Sequence, residues 1–176
     1  MRKISTLLIM ISLFSCNYKI YPPKDAYSKP PFIYKSDKSF QEVWDNVIDF
    51  FAQKGIAISL IDKSSGLIIS VQTDMIWSSE NRKTNKMKKP DAWVVLNNIY
   101  DPAPNKYRYP ERVSGKWNVR VKPEGEKCTI NVNLHDLIVY DYSYTRTDIP
   151  VEVAVTQSYN PTTTGNFEKL IYDIIK

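Results

Sequence analysis

Two cysteines, one histidine and five glycines in 176 residues leave little material for most specialised chemistry. Two cysteines cannot build a disulfide scaffold, a cysteine-rich zinc module or an iron–sulfur centre. A single histidine removes most metal sites and most acid–base pairs. The apolar run at residues 7–14 is too short to cross a bilayer about 30 Å thick. No G-x-S-x-G elbow, phosphate-binding loop, dinucleotide fingerprint, calcium loop or Glu-x-x-His pair occurs. What is present suits one folded domain. Hydrophobic residues make up 43% and charged residues 24%, with 24 Lys+Arg against 19 Asp+Glu and a formal charge of +5. A chain of this length buries roughly two-thirds of its unfolded surface, and its composition is not that of a disordered protein.

The N-terminus has the arrangement of an export signal. Arg2 and Lys3 precede the apolar run, and Leu13-Phe14-Ser15-Cys16 follows. That tetrapeptide resembles the lipobox of bacterial lipoproteins. The resemblance implies that residues 1–15 are a signal peptide and that Cys16 becomes the acylated N-terminus. Asn17 stands where many inner-membrane lipoproteins carry a retaining aspartate, which implies the outer membrane, with the domain facing the periplasm. Each buried acyl methylene contributes about 0.8 kcal/mol, so several chains anchor a protein durably without a membrane-spanning helix. Cleavage would remove two positive charges and leave Cys128 as the only thiol, so no intrachain disulfide could form.

Residues 16–32 hold Pro22, Pro23, Pro30 and Pro31 without a periodic apolar face, which suits a semi-rigid polyproline spacer. One domain is expected over 33–176. Ser39-Phe40-Gln41-Glu42 fits a capping box, and Phe40, Val43, Trp44, Val47, Ile48 and Phe51 follow at helical spacing until Gly55. Two β runs at 56–61 and 67–72 flank the turn residues Asp62-Lys63-Ser64-Ser65-Gly66 and predict a hairpin. A second hairpin is predicted from Trp117, Val119 and Val121, a turn at 123–126, and Cys128, Ile130, Val132 and Leu134. Further strands are expected at 93–96, 138–142 and 151–156. Phe167, Leu170, Ile171 and Ile174 predict a closing amphipathic helix. All five glycines fall at expected element ends or turns. The fold class is therefore α+β: two helices packed on one face of a mainly antiparallel sheet.

The capped helix, Lys54-Gly55-Ile56 and Asp62-Lys63-Ser64-Ser65-Gly66-Leu67-Ile68 resemble the helix–strand–hairpin unit of component C of the outer-membrane β-barrel assembly machine. The likeness covers about residues 33–73. It implies a helix-grip arrangement; that family carries two such domains, whereas this chain has room for one.

Catalytic candidates are few. Cys128 and His135 lie seven apart on one expected strand, which puts them on opposite faces unless a bulge intervenes. Asp136, Asp141 and Asp148 are close in sequence but follow no metal-binding pattern. The chain therefore reads as non-enzymatic, with no metal or cofactor.

Residues 75–114 have the most character. Eight cations (Arg82, Lys83, Lys86, Lys88, Lys89, Lys106, Arg108 and Arg112) stand against four carboxylates, with Trp77, Trp93, Tyr100, Tyr107 and Tyr109 interleaved and four prolines breaking regular structure. An irregular docking loop is expected here, with Trp77, Arg82, Lys83, Lys86, Lys88 and Lys89 as the candidate contacts for an acidic partner. Nucleic acid, which also favours basic and aromatic residues, is not expected as a ligand of an exported lipoprotein. The leading expectation is a lipid-anchored, non-catalytic envelope protein that binds a protein partner in envelope or outer-membrane assembly. The alternatives are a binder of an amphipathic small molecule or lipid between the Trp44 helix and the sheet, and a hydrolase using scattered carboxylates.

Overall fold

The computed structural model describes residues 19–21, 27–81, 83–101, 106–108, 110–144, 150–154 and 159–176. The expected signal peptide, Cys16, Arg82, Pro102, Pro104, Tyr109, Asp148 and part of the expected spacer lie outside the described residues. Within the spacer, Lys19–Tyr21 forms a short strand, β1.

The first helix, α1 (Phe40–Gln53), starts where the sequence predicts. The Ser39 hydroxyl accepts from the Glu42 backbone N–H, while the Glu42 carboxylate accepts from the Ser39 N–H at 2.9 Å. This reciprocal pair satisfies two donors that a helix start otherwise leaves bare. Val43, Trp44, Val47, Phe50 and Phe51 form its buried stripe, and Gly55 ends it in the left-handed region at φ +66°.

The main sheet is built around two long strands, β10 (Arg112–Glu124) and β11 (Lys127–Tyr144), joined at Gly125-Glu126. Alternation along β10 buries Val113, Trp117, Val119 and Val121. On β11 the same face carries Cys128, Ile130 and Val132, opposite Pro123, Val121 and Val119. The ladder then shifts. Ser114 pairs with Ile138 and Lys116 with His135, so Asp136 and Leu137 together oppose Gly115. Asp136 takes φ +52° at this bulge. The extra residue flips the parity, so that Leu134, Leu137 and Val139 all reach the core. Gly115, expected at an element end, therefore lies inside β10. A Cβ there would come 2.9 Å from the Leu137 side chain and 3.1 Å from Met75. The expected separate strand at 138–142 is the continuation of β11.

Each long strand has two shorter neighbours. The first half of β11 pairs with β2 (Phe32–Ser36) and its end with β12 (Pro150–Ala154). β10 pairs with β4 (Leu67–Ser70) and, at its start, with β5 (Thr73–Asp74). β3 (Ile58–Asp62) closes the order by pairing with β4, as the predicted hairpin requires. β2 had no counterpart among the expected strands.

The segment expected to be irregular contains several short strands. β6 (Trp77–Ser79) and β7 (Val94–Leu96) run parallel, with β13 (Thr162–Thr163) antiparallel to β7. β8 (Asn98–Asp101) pairs with β1 and with β9 (Lys106–Arg108).

The closing helix, α2 (Asn166–Ile175), buries Phe167, Glu168, Ile171 and Ile175. The predicted stripe of Phe167, Leu170, Ile171 and Ile174 is rotated towards Glu168, with Leu170 and Ile174 only partly buried. Phe167 is the hub of the core. Its ring stacks on Trp117 at 3.6 Å and meets Trp93, Phe50 and Phe51 edge-on at 4.9, 5.5 and 6.4 Å. Such pairs add about 0.5–1.5 kcal/mol each beyond the area they bury. Trp117 belongs to the sheet and Phe50 and Phe51 to α1, so this one ring joins both helices to one face of the sheet.

Candidate functional site

The parallel pairing of β6 and β7 shapes the basic segment. Parallel neighbours cannot be joined by a tight turn, so residues 80–93 must travel back to the starting end of β6. They do so through a local hairpin. Glu80 bridges Met87 antiparallel, the Asn81 N–H donates to the Lys86 carbonyl at 2.7 Å, and the Asn85 N–H donates to the Asn81 carbonyl at 2.7 Å. The Asn81 side-chain oxygen accepts from the Lys83 N–H at 2.9 Å, and Asn85 supplies the left-handed residue at φ +57°. Asparagine tolerates that conformation better than other non-glycine residues.

The return leg is fastened as well. The Lys88 N–H donates to the Ser79 carbonyl at 3.0 Å, and the Lys89 N–H donates to the buried Ser78 hydroxyl at 2.9 Å. Lys83, Lys86, Lys88 and Lys89 are all exposed on this hairpin. Trp77 sits half-buried at its base, packed on the core, with the Lys89 ammonium 5.7 Å from its ring centroid. That is within range of a cation–π contact. Of the expected contact residues, Trp77 and Lys89 are brought together, while Lys83 and Lys86 sit towards the hairpin tip.

Trp93, read from the sequence as one of the interleaved aromatics of a docking loop, is a core residue. It is 8% exposed and lies edge-on to Trp117 and Phe167. Its N–H donates to the Ile76 carbonyl at 2.6 Å, which fixes the end of the return. The sequence did not reveal Glu80, a carboxylate only 7% exposed at the hairpin base. The Tyr27 hydroxyl donates to it at 2.8 Å, tying the chain ahead of β2 to this loop. No local pattern marks such a contact across 53 positions.

The chemistry-bearing residues elsewhere are dispersed. Cys128 and His135 precede the bulge on β11, so their opposite-face parity holds. Cys128 is 1% exposed, and burial raises its thiol pKa. The His135 Nδ1 atom lies 3.4 Å from the Asp136 carboxylate. Asp136 also takes a hydrogen bond from Lys116 at 3.1 Å, and that donor is the main cause of its lowered pKa. Among the described residues no three His, Cys, Asp or Glu side chains cluster as metal ligands, and no helix is long and apolar enough to cross a membrane.

The described residues thus form an α+β fold with two helices on a mainly antiparallel sheet and a hydrogen-bonded lysine hairpin beside it. Comparison with known protein-family models and with curated proteins finds no match for this chain.

Proposed function

We propose that this chain is a lipid-anchored, non-catalytic protein of the cell envelope, held at the outer membrane through Cys16 and facing the periplasm. Its lysine hairpin docks a protein partner with an acidic surface, in a role connected with envelope or outer-membrane assembly. The observation that carries the docking reading is the hairpin itself. Four exposed lysines project from backbone fastened by the Asn81–Lys86, Lys88–Ser79 and Lys89–Ser78 hydrogen bonds, not from a loose loop. A preordered loop loses less conformational entropy on binding, and its clustered charge speeds encounter with an opposite surface. Two helices against one face of an antiparallel sheet is the arrangement that a helix-grip domain would have. It supports the likeness to component C of the assembly machine, with Ser39–Ile68 as its centre.

The ring cluster of Phe167, Trp117, Phe50 and Phe51 occupies the space between helices and sheet. That weighs against an amphipathic ligand held there. A hydrolase would need carboxylates free to act on a substrate, whereas Asp74, Asp136 and Asp37 are each paired with a cation, Arg112, Lys116 and Lys127.

Two measurements test the proposal. Cys16→Ala should abolish lipid labelling and membrane fractionation, and unchanged fractionation would end the anchor reading. Reversing Lys83, Lys88 and Lys89 to Glu should remove the principal adduct in in-cell crosslinking. An intact adduct profile would mean that the hairpin is only a solvated surface.

A further inference from the structure

We propose that the cleft between the β3–β4 turn and the β10–β11 hairpin end is a binding site for a phosphoryl oxyanion. The cleft encloses about 460 Å³ and is lined by the turn residues 63–66, by residues 120–123 and by the ring of Phe40. Its two walls are locked together. The Val121 N–H donates to the Gly66 carbonyl at 2.8 Å, and a Cβ on Gly66 would fall 1.8 Å from the Val121 oxygen. Only glycine allows the backbones to meet this closely, and the approach brings two segments distant in sequence to one opening.

The charge in that opening has one sign. Lys63, Arg120 and Lys122 line it, and no carboxylate does. Lys63 donates to the neutral Gln41 side chain at 2.6 Å. The Arg120 Nε–H donates to the Ser65 carbonyl at 3.3 Å, which steadies the guanidinium and leaves its two terminal nitrogens without an acceptor among the described residues. Lys122 has no acceptor there either. Among the described residues none of the three is in an ion pair, whereas Arg112, Lys116 and Lys127 each hold an aspartate. The carboxylate nearest in sequence, Asp62, is already engaged. The hydroxyls of Ser64 and Ser65 donate to it at 2.6 and 2.7 Å, and the Ser64 N–H at 2.9 Å.

Three cations around one opening favour a multiply charged anion over a single carboxylate. The planar guanidinium fork matches phosphate oxygens in particular. The volume exceeds what a bare oxyanion fills, and the Phe40 ring offers an apolar surface for an organic substituent. This site is separate from the lysine hairpin and does not depend on that reading.

The test is calorimetric titration of the full chain in detergent at low salt. The probes are inorganic phosphate and dihexanoyl phosphatidylglycerol below its micelle concentration. Saturable binding is expected, and it should weaken at least about tenfold in the Arg120→Gln/Lys122→Gln double variant. Lys63→Gln, in an exposed turn, provides a second variant should the double one fail to fold. Tighter binding of phosphate identifies a free phosphoryl ligand, and tighter binding of the lipid identifies a headgroup. Absence of saturable binding to either probe, or its survival in both cleft variants, overturns the proposal.

Discussion

Glu168 and Gly66 are the two residues whose replacement speaks most directly to the fold. Glu168 has no exposed surface, yet it accepts one hydrogen bond, from the Thr163 hydroxyl at 2.8 Å, and its second carboxylate oxygen has no partner among the described residues. Burial is the main cause of its raised pKa, opposed by its own backbone N–H and by Thr163. The folded state therefore holds this proton more tightly than the unfolded chain does. The stability it contributes is complete below the ordinary carboxylate value of 4.5 and is lost as pH rises through the folded-state value. Glu168→Gln cannot ionise. Thermal unfolding should find the variant gaining on the parent as pH rises from about 4 to about 8, with the difference closing at the acid end. A difference that does not change with pH would refute this. At Gly66, alanine would collide with the Val121 carbonyl and also require a left-handed φ of +69°. Denaturant titration should show Gly66→Ala losing on the order of 3 kcal/mol. Gly125→Ala, with φ +68° and open space, should lose only about 1–2 kcal/mol.

Elements were legible in the sequence where a signal was both local and repeated. The capping box and apolar stripe of α1 needed no tertiary information. Ser39→Ala should cost about 1 kcal/mol in equilibrium unfolding, while Gln41, pointing outward from the same turn, should tolerate Ala with little change. The β10–β11 hairpin was equally readable from its alternation, but its length was not. Alternation breaks at the Asp136 bulge, which makes one strand of 18 residues read as two. β2 was missed because its partner on β11 lies far along the chain, so no turn announces it. Of the short strands between 73 and 108, β7 was expected from the apolar run at 93–96, whereas the others, of two to four residues, are too short for any period to register. The candidate site was half readable. Composition located the lysines, but whether Trp77 or Trp93 faced outward depended on where Phe167 would arrive from the far end of the chain.

At the scale of the whole molecule, distant segments converge on the ends of α2. The Asn166 side chain donates to the Pro90 and Ala92 carbonyls, both at 2.8 Å, and the Thr164 hydroxyl donates to the Ala92 carbonyl at 2.6 Å. At the other end, Ser36 donates to the Ile175 carbonyl, and Lys38 and Asn46 donate to the Ile174 carbonyl at 3.3 and 3.1 Å. These side chains satisfy carbonyls that a helix end leaves without internal partners. Phe167→Ala would leave Trp117, Trp93, Phe50 and Phe51 facing a void and should cost about 3–5 kcal/mol in denaturant unfolding. Ile174→Val, on the partly buried flank of the same helix, should cost less than about 1 kcal/mol in that measurement. The position of Phe167 also sets when the core can be sealed. Without residue 167, Trp117, Phe50 and Phe51 lack the ring that joins them, so the apolar side of the sheet is only partly covered. Sealing of the core therefore waits for α2 to dock, whichever strands have paired before it.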